Sequence, residues 1–227
     1  FDAAIGQATG GGTASGNEAT IVQSGLDGYA DIFQAVSGTA TGLESALTQN
    51  GSGNNGFIRQ GQVGSASGDG DGGDVDATLM QSGSGNYGVI LQGFGSNSSS
   101  VDNVATVSQS GDDNAVARVV QGGTHADAGL PDAQGIAEGN TATIDQAGDA
   151  GSARIFQGSN GGSAYDNEAQ ILQDLGTSGN TARINQGLGV GVSASDSHAY
   201  IFQYSSDNTG TITQSGASNM ATVTQND

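Results

Sequence analysis

The sequence predicts an all-β chain: a two-sheet β-solenoid of about eight two-strand coils, stacked in parallel and in register as a cross-β structure. Three observations predict it. A seven-residue motif, Asn-x-Ala-x-Ile-x-Gln, recurs along the chain, as in Asn17 to Gln23, Asn103 to Gln109, Asn140 to Gln146, Asn167 to Gln173 and Asn180 to Gln186. Ala, Ile and Gln alternate with other residues in it, so all three share one face of a strand. The links between motifs alternate in length, which marks a stacked repeat over residues 1–227 as one domain.

Sixteen Gln residues close the motifs: Gln7, Gln23, Gln34, Gln49, Gln60, Gln81, Gln92, Gln109, Gln121, Gln146, Gln157, Gln173, Gln186, Gln203, Gln214 and Gln225. Two residues before each stands Ile, Val or Leu; four before stands Ala, Gly or, once, Ser45. The candidate core includes Ile21, Ile32, Ile58, Ile90, Ile144, Ile155, Ile171, Ile184, Ile201 and Ile212. A large residue can then face a small one across a thin core. Short links such as Gln81-Ser82-Gly83-Ser84-Gly85-Asn86 supply the positive φ angles of a tight turn. Longer links, such as 61–74 and 122–139, are expected as loops along one edge.

Gln and Asn have a physical reason to recur in register. A buried amide needs partners for its donor and acceptor groups, and an identical amide about 4.8 Å above and below provides them. The expected ladder includes the sixteen Gln together with Asn17, Asn54, Asn86, Asn103, Asn140, Asn167, Asn180, Asn208 and Asn219. The motif's Asn is replaced by Gly28, Leu43, Val75, Gly151 and Ser197. Neither end carries an obvious polar cap, and no signal peptide opens the sequence. Both features are expected of a mature chain that stacks on copies of itself.

Composition narrows the function classes. The net charge is −19 with only four cationic residues, all Arg, which excludes ordinary binding to nucleic acid phosphates. No apolar run is long enough to span a bilayer. Hydrophobic residues make up 34% and Gly contributes 41 residues, yet the strict alternation argues against disorder.

These units resemble curlin repeats, the building block of bacterial curli fibres. The resemblance implies a major subunit of an extracellular functional amyloid in the biofilm matrix. It also implies secretion through an outer-membrane pore, assembly seeded by a nucleator subunit, and stacking roles for the Gln and Asn residues named above. The competing class is a monomeric solenoid binding module, such as an adhesin or an ice-binder built on Thr20, Thr78, Thr106, Thr143 and Thr222.

Outward residues suggest one lateral contact. Arg59, Arg118, Arg154 and Arg183 all fall on one sheet, among aromatic residues, and could meet an acidic face of a neighbouring filament. Asp69, Asp71 and Asp74 form an acidic, Gly-rich loop, a weak calcium candidate without the bidentate Glu of an EF-hand. His125 and His198 stand apart, with no Cys to complete a metal cluster. No nucleophile elbow with a placed partner and no phosphate-binding fingerprint occurs, so neither an enzyme nor a cofactor is expected.

Overall fold

The computed structural model describes residues 2–7, 13–34, 39–61, 65–67, 75–94, 99–123 and 135–226. All regular structure there is β, and every strand pairing is parallel. The first long sheet contains β1 (Asp2–Gln7), β4 (Tyr29–Gln34), β7 (Asn55–Gln60), β10 (Tyr87–Gln92), β13 (Val116–Gln121), β16 (Ser152–Gln157), β19 (Thr181–Gln186) and β22 (Thr209–Gln214). The second contains β3 (Glu18–Leu26), β6 (Leu43–Ser52), β9 (Val75–Gln81), β12 (Val104–Gln109), β15 (Thr141–Gln146), β18 (Glu168–Gln173), β21 (His198–Gln203) and β24 (Met220–Gln225).

A third sheet corrects the expectation of two sheets and two-strand coils. It consists of β2 (Thr13–Ser15), β5 (Thr39–Thr41), β8 (Ser65–Ser67), β11 (Ser99–Val101), β14 (Ile136–Glu138), β17 (Ser163–Tyr165), β20 (Ser193–Ser195) and β23 (Gly216–Ala217). These short strands occupy the links expected to be loops. Each turn of the solenoid therefore uses three strands. The short strands pair in register because each repeats a small central residue: Ala137, Ala164 and Ala194 align and are fully buried. At the corner that follows, Asp102, Asp166 and Asp196 take positive φ, a conformation Asp tolerates better than most residues.

The principal core lies between the two long sheets, where the columns of Ala and Ile from each sheet meet. Size matching across it is specific. Leu47 and Leu79 replace the usual Ile, and each faces a Gly in place of the usual Ala. A Cβ on Gly88 would come within 2.5 Å of Leu79 Cδ1, and one on Gly56 within 3.1 Å of Leu47 Cδ1. Backbone space is equally tight where the first long sheet turns into the short one. Gly158 has φ 56°, and a Cβ there would fall on the Ile136 carbonyl oxygen.

Candidate functional site: the amide ladders and the sheet edges

Each long sheet carries an unbroken line of Gln side chains. In the first, Nε2 of Gln7 donates to Oε1 of Gln34 at 2.8 Å, Gln34 to Gln60 at 3.1 Å, Gln60 to Gln92 and Gln92 to Gln121 at 2.9 Å. The line continues through Gln157 and Gln186 to Gln214. The second runs from Gln23 through Gln49, Gln81, Gln109, Gln146, Gln173 and Gln203 to Gln225, at 2.7 to 3.0 Å. Most of these side chains are fully buried, so the ladder satisfies groups that water cannot reach.

The ladder has a second dimension that pattern-reading misses. The remaining Nε2 hydrogen of most Gln residues crosses the core to a carbonyl of the facing sheet. Gln121 donates to Val104 O at 3.2 Å, Gln203 to Thr181 O at 3.1 Å and Gln214 to His198 O at 2.8 Å. These amides thus join neighbouring strands of one sheet and also staple the two long sheets together; among the described residues, Gln23 and Gln146 donate only along the ladder. Ser45 joins the same network, donating to Gln60 Oε1 at 2.5 Å and accepting from Gln34 Nε2 at 3.1 Å.

The Asn residues sort into two corner columns. One holds Asn54, Asn86, Asn180 and Asn208, and the other holds Asn17, Asn103, Asn140, Asn167 and Asn219. Amide-to-amide bonds occur, as from Asn140 to Asn103 at 2.9 Å and from Asn167 to Asn140 at 3.0 Å. The commoner bond runs from a backbone N–H to the Oδ1 of the preceding turn, as from Asn86 N to Asn54 at 3.0 Å and from Asn208 N to Asn180 at 2.9 Å. This explains why the motif tolerates replacement. Leu43 N, Gly151 N and Ser197 N still donate to Asn17, Asn114 and Asn167. Asn114 belongs to the first column although it stands seven residues before Gln121 and not six. One extra residue in the link hid it, and its Nδ2 donates to Asn86 Oδ1 at 2.9 Å.

The ladders have polarity. In each Gln-to-Gln bond Nε2 donates to the Gln of the strand that follows and Oε1 accepts from the Gln of the strand that precedes; Gln146 is the irregular member, its Nε2 also facing the backbone N–H groups of Ser152 and Ala153 at 3.3 Å. β1 and β3 are the edge strands at one end of the long sheets, and β22 and β24 at the other. Gln7 and Gln23 therefore present Oε1 at the first edge, and Gln214 and Gln225 present an Nε2 hydrogen at the second. Apolar surface accompanies them: Ile5 is 50% exposed, whereas Ile32, its register partner in β4, is fully buried.

The four Arg residues lie on the outer side of the first long sheet, half-buried. Arg59 sits 6.0 Å from the Phe33 ring centre and 5.9 Å from that of Phe57, and Arg183 lies 4.8 Å from that of Phe156. This side is partly roofed: Val89, Leu91, Val120 and Phe156 form a buried cluster against which Phe94 and Leu188 of the links pack. The outer side of the second sheet carries Glu18, Glu44, Asp76, Glu168 and His198. Its Thr line is interrupted at Ala46, Gln170 and Tyr200. His198 Nδ1 lies 3.2 Å from Glu168 Oε2. Asp69, Asp71, Asp74 and His125 lie outside the described residues. Among the described residues no group of three His, Cys, Asp or Glu is placed to hold a metal, and no helix is long and apolar enough to cross a membrane.

Comparison with known families bears on this geometry. No curated protein matches the chain. The family model of the curlin associated repeat matches residues 72–101, which include β9 to β11, and residues 194–226, which include β21 to β24. The chain thus carries curlin associated repeats at two places within a parallel stacked β-solenoid, consistent with a curlin-family protein.

Proposed function

We propose that this chain is a structural subunit of an extracellular amyloid fibre, and that copies add head to tail by stacking β1, β2 and β3 of one on β22, β23 and β24 of another. The observation that carries the reading is the polarity of the Gln ladders. The spare Nε2 hydrogens of Gln214 and Gln225 match the spare Oε1 atoms of Gln7 and Gln23, so one copy completes the next without rearrangement. Ile212 would then cover Ile5, and Val223 would cover Ile21. A contact between two different ends does not close on itself, so it propagates as a filament. The mechanism is templated addition: an ordered edge aligns the backbone and amides of an incoming strand.

The curlin repeats support a place in the biofilm matrix, with a nucleator subunit and an outer-membrane secretion pore as partners. Lateral contact through Arg59, Arg118, Arg154 and Arg183 is a secondary element of the proposal, and the links packed over that sheet would take part in it. Electron microscopy and fibre diffraction of the purified chain after incubation test the reading. Unbranched fibres with a meridional spacing of about 4.8 Å are expected. A chain that stays monomeric overturns the reading and favours a solenoid binding module.

A further inference from the structure

One strand of the second long sheet differs from the other seven. The outward positions of β3, β6, β9, β12, β15, β18 and β24 carry no aromatic residue. Those of β21, with the residue that follows it, carry four rings in a row: His198, Tyr200, Phe202 and Tyr204. Neighbouring ring centres lie 6.4, 6.2 and 6.4 Å apart, with planes 17°, 6° and 18° from parallel. The Tyr200 hydroxyl is 3.4 Å from His198 Nδ1. The hydroxyl end of the Tyr200 ring therefore turns towards the imidazole. The result is a narrow aromatic strip along the strand, reachable from solvent: the His198 side chain is 41% exposed and Tyr204 is 46% exposed. β-propensity accounts for aromatic residues on a sheet surface, but not for their confinement to one strand of eight.

A carboxylate stands at each end of the strip. Glu168 is the register partner of His198 on β18. Asp174 N donates to Gln203 O, which places Asp174 beside Tyr204. Negative charge is crowded on this side. Burial, and then the charge of Asp174, push the Asp145 carboxyl above its usual range. Burial, and then a hydrogen bond from its hydroxyl to Glu168, push the Tyr200 phenol up. All four Arg lie on the other long sheet. Beyond Tyr204 the surface falls into a depression of about 720 Å³, which adds Asp207 to its lining.

We propose that this strip binds an extended cationic peptide whose Arg side chains, at alternate positions, lie over the aromatic rings. Charge complementarity favours this occupant. The protein carries a net charge of −19, carboxylates bracket the strip, and guanidinium groups stack well on aromatic faces. Spacing favours it too. Alternate side chains of an extended peptide recur about every 6.6 Å, close to the separation of the rings. A second copy of this chain fits less well. Its Arg118, Arg154 and Arg183 occupy adjacent strands in register, so they recur at about 4.8 Å along the stack and not across it. The site lies within one copy, so it stands or falls independently of fibre formation.

Calorimetry on the full chain at low salt tests the proposal. The probe is an octapeptide alternating Arg and Thr, compared with a peptide of the same composition with its Arg residues in one block and with a neutral β-linked glucan oligosaccharide. The alternating peptide is expected to bind about ten-fold more tightly than the block peptide. Combined Tyr200→Thr, Phe202→Thr and Tyr204→Thr substitutions should abolish that preference. The Glu168→Gln and Asp174→Asn pair leaves every ring in place, so it reads the charge contribution without disturbing the strip, and it should weaken binding several-fold. Equal affinity for the two peptides would reduce the effect to non-specific attraction and overturn the proposal. So would unchanged affinity in the triple variant, or binding of the glucan in place of the peptide.

Discussion

Inner strands and edge strands of this solenoid are written in the same motif but live in different surroundings. In β16, Ala153, Ile155 and Gln157 are all fully buried. In β24 the equivalent residues Ala221, Val223 and Gln225 are only half-buried, and in β1 both Ala3 and Ile5 are exposed. The facing long sheet is present in every case. The missing element is a strand on one side. Burial of the motif is therefore supplied largely by the next turn of the stack, and an edge strand is an interior strand that lacks its neighbour. This is the physical content of the proposed polymer.

The largest expected effect sharpens that difference. Ile155→Ala removes a fully buried side chain and should destabilise the folded chain by about 2–5 kcal/mol. Ile5→Ala, at a half-exposed position, should cost less than about 1 kcal/mol, since less area is lost from the core. Urea denaturation of monomeric protein measures both. Similar values for the two would remove the distinction between interior and edge.

The ladder comes next. Gln121→Leu leaves the Nε2 of Gln92 and the Oε1 of Gln157 without their ladder partner, at a cost of about 1–3 kcal/mol for each buried group left unpaired. Gln225→Leu interrupts only one such bond in the monomer, the one donated by Gln203. With one buried group left unpaired and not two, its stability should fall by about half as much as in Gln121→Leu, while fibre elongation, followed by light scattering from preformed seeds, should slow. An unchanged elongation rate would detach the amides from assembly.

The Gln ladders were legible from sequence because they combine a strict period of two with one side-chain chemistry. The third sheet was not, because a three-residue strand such as Ser163–Tyr165 turns only Ala164 inward and shows no period to count. Its trace lies at the corner that follows, where x-Ala-x precedes Gly or Asp and then Asn, as in Ile136 to Asn140 and Ser163 to Asn167. Asn114 escaped because Ala115 shifts it by one residue while the hydrogen bonds keep its place. The roof over the first long sheet was also hidden. It depends on Leu188 and Phe94 packing onto residues distant in sequence, such as Phe156, and no local pattern encodes that.

The smallest effect concerns charge on the outer side of the second sheet. The Asp145 carboxyl is raised by burial and by Asp174. The fold therefore disfavours its ionised form, and its contribution worsens as pH rises from below the unfolded value of about 4 through the folded one. Asp145→Asn should stabilise the chain at neutral pH by about a few tenths of a kcal/mol, allowing for solvent screening of a half-exposed group. The gain should vanish below about pH 3.5, where both states bind the proton. Thermal unfolding of the two proteins at each pH reads the difference.

Disulfide capture tests the central claim most directly. The chain contains no Cys, so introduced thiols report only the contact they are placed in. Extending the register of β21 with β24 and of β3 with β6 across the junction sets Thr222 of one copy against Thr20 of the next. Cα atoms about 4.8 Å apart across that parallel pair are within disulfide reach. Head-to-tail stacking predicts that Thr20→Cys and Thr222→Cys proteins, mixed and oxidised, give mixed dimers, and that the double variant gives covalent ladders. Homodimers of either single variant, or no crosslinks within fibres, would contradict it.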